Sequence, residues 1–243
     1  MIEFLFSTIE QKGFLLILVI RYLLFISYLC VGLLWYKRNP TYALNKTICL
    51  ASSAFATENL AYGFIDNLAF LINPFPLFIL NILRDVYAIC LGATFVFFYI
   101  STLIIEYSWE FLKLKRKHIF FLLLGYVIFL ILFIPNDSVL ADGTIGFEPL
   151  GYIGWIYILI LFILIYRRLI RVMRSVSENR NQAKVFLIGI SMLLVGFIYF
   201  VIVNSMISNP PYVILHGDNF LYLSVGIIFL IVNLRKIRKI RPK

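Results

Sequence analysis

Charge is what this sequence has least of. Asp, Glu, Lys and Arg make up 14% of its 243 residues, against 62% hydrophobic, and mean hydropathy is +0.96. A chain so poor in polar groups cannot present a water-compatible surface, which excludes a soluble globular fold and leaves no room for a separate soluble catalytic domain. Cysteine is scarce too. Cys30, Cys49 and Cys90 all fall within apolar runs and form neither a CxxC pair nor a Cys/His cluster, so they read as packing residues, and no metal site follows from them. The only two histidines, His118 and His216, fall at opposite ends of the apolar runs, which rules out haem held between two imidazoles. All eight prolines lie outside those runs, so nothing forces a kink within one. A cleavable leader is also missing. Glu3 and Glu10 stand where basic residues would be needed, and the first apolar run is too long for a signal sequence and is expected to remain as a membrane helix.

What the sequence does have is apolar runs of membrane-spanning length. Seven are expected as helices, at 14–36, 42–64, 77–105, 118–134, 152–173, 184–207 and 212–234, giving an all-α, seven-helix transmembrane bundle in one domain. Basic residues concentrate in alternate connections. Lys37, Arg38 and Lys46 follow the first run, Lys113, Lys115, Arg116 and Lys117 the third, and a basic stretch from Arg167 to Lys184 the fifth. Arg235, Lys236, Arg238, Lys239, Arg241 and Lys243 form the tail. Asp66, Asp137, Asp142, Glu148 and Asp218 fall in or near the other connections. The positive-inside rule then puts the N-terminus outside and the C-terminus in the cytoplasm of a multi-pass cell-membrane protein. Trp35 with Tyr36, Tyr107 with Trp109, and Tyr152 with Trp155 fall near run boundaries, where an interfacial aromatic belt is expected. The net charge of +10 is therefore a topology signal directed at anionic headgroups, not a nucleic-acid footprint.

The third run carries Arg84 and Asp85 side by side, although each such charge costs roughly 2.5–3.5 kcal/mol at the bilayer centre. Counted along helices, Arg21, Glu58, Asn59, Arg84, Asp85, Asn204 and Asp218 share one depth in the outer half, with His216 and Asn219 beside the last. They are expected to line an externally facing, ligand-binding pocket, or else to neutralise one another as buried ion pairs that fix helix order. His216 alone reads as a solvated loop histidine. Retinal chemistry is excluded because no lysine occurs between 212 and 234. A membrane peptidase using Cys49 or Cys90 with Arg84 and His216 has the residue types but no supporting spacing. Catalysis thus has no positive sign, and no metal or cofactor is expected.

Asn39-Pro40 and Asn45-Lys46, running on to Leu60-Ala61-Tyr62-Gly63-Phe64, together with Arg84-Asp85-Val86-Tyr87-Ala88-Ile89-Cys90-Leu91-Gly92 and Asn179-Arg180-Asn181-Gln182-Ala183-Lys184, resemble the seven-helix sensor region at the N-terminus of some prokaryotic histidine kinases. Glu58 departs from that pattern, which has an aromatic residue there, and no kinase sequence follows the seventh run. The resemblance implies a receptor-like sensor acting through a cytoplasmic signalling protein, with a second copy of the chain as a further partner. A small transporter, with the same polar residues as a midplane site, is the contrasting expectation.

Overall fold

The computed structural model describes residues 2–71, 77–108, 116–139, 145–147, 149–174, 180–206, 214 and 216–240. Side chains are described at 12–68, 78–108, 116–135, 154–174, 183–200, 202–203, 214 and 216–232. Among the described residues there are seven long helices: α1 (Ile2–Arg38), α2 (Ala43–Leu71), α3 (Leu77–Tyr107), α4 (Arg116–Phe133), α5 (Pro149–Arg174), α6 (Arg180–Met206) and α7 (Asp218–Ile240). Each coincides with an expected run, and most extend beyond it. Pro149 opens α5, a position where its missing N–H would have had no partner anyway. Between α4 and α5 lie a 3-10 turn (Ile134–Asn136) and a short ribbon, where β1 (Asp137–Val139) pairs antiparallel with β2 (Ile145–Phe147).

Successive helices pack side by side, and α7 returns to α1, closing the sequence of helices into a ring. Inside it α3 reaches across to α5 and α6. Its apolar window is 72% buried, whereas that of α4 is only 17% buried, which makes α3 the central post and α4 a peripheral helix. The division of faces on α1 shows why the bundle suits lipid. Ile17, Ile20, Leu24, Tyr28 and Val31 point inward, and Leu15, Leu16, Val19, Leu23, Ile26 and Leu33 are exposed. On α4 the exposed residues include Phe120, Phe121, Leu123, Leu124, Val127, Ile128 and Ile131. An apolar girdle of this extent would drive a soluble protein to aggregate, but in hydrocarbon it costs nothing. Four helices, α1, α3, α4 and α6, contain segments long and apolar enough to cross a membrane. The chain is a helical membrane protein.

With no hydrophobic effect to press helices together in lipid, close approach and interhelical hydrogen bonds fix their order. At Gly32 an added Cβ would lie 3.1 Å from the Cys49 carbonyl oxygen, so α1 and α2 touch backbone to backbone there. Ser101 Oγ donates to Thr47 Oγ1 at 2.9 Å between α3 and α2, and Tyr28 Oη donates to the Tyr222 carbonyl at 3.1 Å between α1 and α7. Tyr126 and Tyr157 donate to the carbonyls of Ile89 and Leu122, tying α4 to α3 and α5 to α4.

Candidate functional site

One face of α2 presents Phe55, Glu58, Tyr62 and Asp66 at three- and four-residue spacing, the arrangement that aligns side chains along a helix. Tyr87, Leu91 and Phe95 repeat the pattern on α3, and Leu193, Phe197 and Phe200 on α6. Glu58, Tyr62, Tyr87, Leu193 and these phenylalanines line a cavity of about 70 Å³ together with Arg21 of α1, Trp155 and Phe162 of α5, Asp218, Asn219 and Tyr222 of α7, and His216 just before α7. Six of the seven helices contribute, and α4 does not. The lining mixes ionic and phenolic groups with Phe, Leu and Trp side chains. Gly196 makes part of this possible, because a Cβ there would collide with the Tyr222 ring.

Arg21 is the hub. Its Nε lies 2.7 Å from Asp66 Oδ2, both side chains being buried, and its Nη2 donates to His216 Nδ1 at 3.1 Å. The guanidinium carbon sits 3.7 Å above the centroid of the Tyr62 ring, a cation–π contact away from water. Tyr62 in turn meets Tyr87 and His216 edge-on, at 5.3 and 5.7 Å between centroids. Asn219 Nδ2 donates to the His216 carbonyl at 3.0 Å and closes the turn ahead of α7. Glu58 and Asp218 are also buried, at 8% and 7% exposure. Glu58 Oε2 and Asp218 Oδ1 accept no hydrogen bond among the described residues. The cavity cluster therefore sets three carboxylates against one guanidinium.

Of the residues expected to line a pocket, the structure brings together Arg21, Glu58 and Asp218. Asn59 is buried on α2, but its Nδ2 is used locally, donating to the Phe55 carbonyl at 2.8 Å. Arg84 and Asp85 stand apart from the cavity: Arg84 Nε donates to Asp85 Oδ1 at 3.0 Å and Nη1 to Asn81 Oδ1 at 3.4 Å. Adjacent residues on a helix point in different directions, so this pair needed only a half-exposed Asp85 to form at the helix surface. The side chains of Asn204, Asp137, Asp142, Glu148, Trp109, Lys113, Lys115 and the basic residues of 235–243 lie outside the described residues.

Two expectations are corrected. His216 is 3% exposed and engaged with Arg21, not a solvated loop residue, because Gly217 and the first turn of α7 fold it beneath Tyr62. Trp35 and Trp155 do not form a lipid-facing belt: Trp35 is buried against Phe186, and Trp155 lines the cavity. Asp66 was read as a loop residue because the second run was ended at Phe64. Its spacing from Glu58 and Tyr62, on a helix continued two turns further, is the signal that would have found it. Neither Cys49, Cys90 nor Arg84 lines the cavity that holds His216, so the peptidase constellation does not assemble there. Among the described residues no group of three His, Cys, Asp or Glu side chains is placed to hold a metal.

A second ionic cluster joins the C-terminal ends of α3 and α5. Glu106 receives Arg168 Nη1 at 2.5 Å and Arg171 Nη1 at 2.8 Å, one carboxylate oxygen to each. Arg168 Nη2 also donates to Tyr99 Oη at 2.9 Å, and Arg171 Nη1 to Tyr107 Oη at 3.3 Å.

No protein-family model matches this chain, and no curated protein matches its sequence.

Proposed function

We propose that this protein is a seven-span sensor of the cell membrane, with its N-terminus outside. A small ligand occupying the cavity from the outer side would shift α3 against α5, and the Glu106–Arg168–Arg171 clasp would carry that shift to a cytoplasmic partner. One observation carries the reading: the cavity is walled by six helices, among them both helices that the clasp joins. A ligand there touches every element that must move, and binding energy that differs between two arrangements is what drives a switch. The distribution of basic residues, with Lys37, Arg38, Arg116, Lys117, Arg171 and Arg174 at the clasp end, supports that end as cytoplasmic.

Cysteine labelling tests this. In a protein with Cys30, Cys49 and Cys90 replaced by serine, Asn219→Cys reports the cavity and Arg174→Cys the far end. A membrane-impermeant trimethylammonium-ethyl methanethiosulfonate is expected to react with the first only from outside and with the second only from inside. The adduct at 219 fills the cavity, and in the double variant it is expected to change the labelling rate at 174. Reaction at 219 from both sides would favour a transporter that opens alternately to each face. An unchanged rate at 174 would remove the sensor reading.

A further inference from the structure

The cavity carries information about its ligand beyond its existence, and this rests on reading it as a ligand site. Its single guanidinium is already engaged by Asp66, His216 and the face of Tyr62. Two carboxylate oxygens on different helices, Glu58 Oε2 and Asp218 Oδ1, accept no hydrogen bond among the described residues, and both residues are more than nine-tenths buried. The lining is also rich in aromatic residues, Tyr87, Trp155, Phe200 and Tyr222 among them. Carboxylate oxygens lacking donors, enclosed by π faces, are the recognition set for an organic ammonium. Its N–H groups satisfy acceptors, its charge offsets the carboxylate excess, and the rings stabilise it by cation–π attraction. An anion would meet a negative cluster whose guanidinium is already engaged. A neutral alcohol would supply one donor where an alkylammonium supplies three.

We infer that the cavity binds a small primary amine in its protonated form, with the nitrogen between Glu58 and Asp218 and the carbon chain against the Phe and Leu side of the lining. A cavity of about 70 Å³ sets the size. At roughly 10–15 Å³ of such space per water-sized group, it accommodates about five to seven non-hydrogen atoms.

Titration calorimetry on the full chain in phosphatidylcholine nanodiscs, with empty nanodiscs as the blank, tests the inference with three probes of matched size: n-butylammonium, butanoate and 1-butanol. Butylammonium is expected to bind saturably and at least about tenfold more tightly than either other probe. Glu58→Gln and Asp218→Asn are each expected to weaken it by about tenfold or more while leaving 1-butanol unaffected. The ranking of probes on the unaltered protein stands even if one variant fails to fold. Butanoate binding as tightly as the amine, equal affinity for all three, or no saturable heat from butylammonium would overturn the assignment. Butanoate or butanol preference would leave the sensor reading in place. Amine binding with no change in labelling at Arg174→Cys would keep the amine site and remove the sensor reading.

Discussion

The cavity cluster and the α3–α5 clasp are built from the same side-chain types in opposite proportion. At the cavity one guanidinium, paired with Asp66 beside it, accompanies two further buried carboxyl groups in the lining; in the clasp two guanidinia share one carboxylate. The surplus has different consequences because the surroundings differ. At the clasp Arg168 and Glu106 are largely covered, at 16% and 6% side-chain exposure, but Arg171 is 54% exposed, so the extra positive charge is hydrated or faces headgroups. At the cavity every member is buried, so the surplus of carboxyl groups has no water at the bundle surface to relieve it. A cluster whose carboxylate is paired at both oxygens holds two helices in one arrangement. An unsatisfied and enclosed one is a site still short of a donor or a cation.

Replacing the hub gives the sharpest break between the two. Arg21→Ala strands Asp66, Glu58 and Asp218 together, and removing one partner of a buried pair costs about 3–5 kcal/mol. Unfolding in mixed micelles followed by circular dichroism is expected to show that loss, if the variant can be purified at all. A cost below about 1 kcal/mol would mean that the cluster is hydrated, and the contrast with the clasp would disappear. Glu106→Gln comes next. It leaves the largely covered Arg168 without its counter-charge, and the same assay is expected to show a loss of about 2 kcal/mol, between the buried and surface limits.

The helices were legible in the sequence because hydrocarbon imposes a length and a purity that few sequences meet by accident. The site was half legible. Arg21, Glu58 and Asp218 announce themselves as charges within or beside apolar runs, and counting residues puts them at one depth. Depth does not give direction, however: Arg84 and Asp85 lie on the same helix as the cavity residue Tyr87 yet spend their charge on each other and Asn81. Where a helix was ended too early, its polar residues were read as loop. Asp66, past Phe64, was read so, and Glu106, past Ile105, drew no reading at all; both belong to helices that continue, and each is the carboxylate that anchors an arginine. His216 was invisible for another reason. A histidine beside Gly217 and Asp218 has the composition of a solvated turn, and only the packing of α7 against α1 puts it under Tyr62.

The comparison is sharpened most by giving both clusters the same substitution. Glu58→Gln keeps the shape of the side chain and removes a buried carboxylate that lacks a donor at Oε2, so stability is expected to be unchanged or to rise by up to about 1 kcal/mol. Glu106→Gln moves the other way, and opposite signs from one chemical change would establish that one cluster is satisfied and the other is not. A loss at Glu58 comparable to that at Glu106 would mean that Glu58 is already paired.

Arg171→Ala is the smallest test and separates the two halves of the clasp. Its guanidinium reaches Glu106 and Tyr107 from the exposed side, where water and salt weaken an ion pair. The unfolding midpoint is expected to stay within error of the unaltered protein, while Arg168→Ala lowers it clearly, because only Arg168 is held by both Glu106 and Tyr99 under cover. Equal losses from the two would mean that the exposed arginine is ordered as firmly as the covered one. The clasp would then be a rigid three-residue unit, and not a buried pair with a solvated attendant that a shift of α3 could release first.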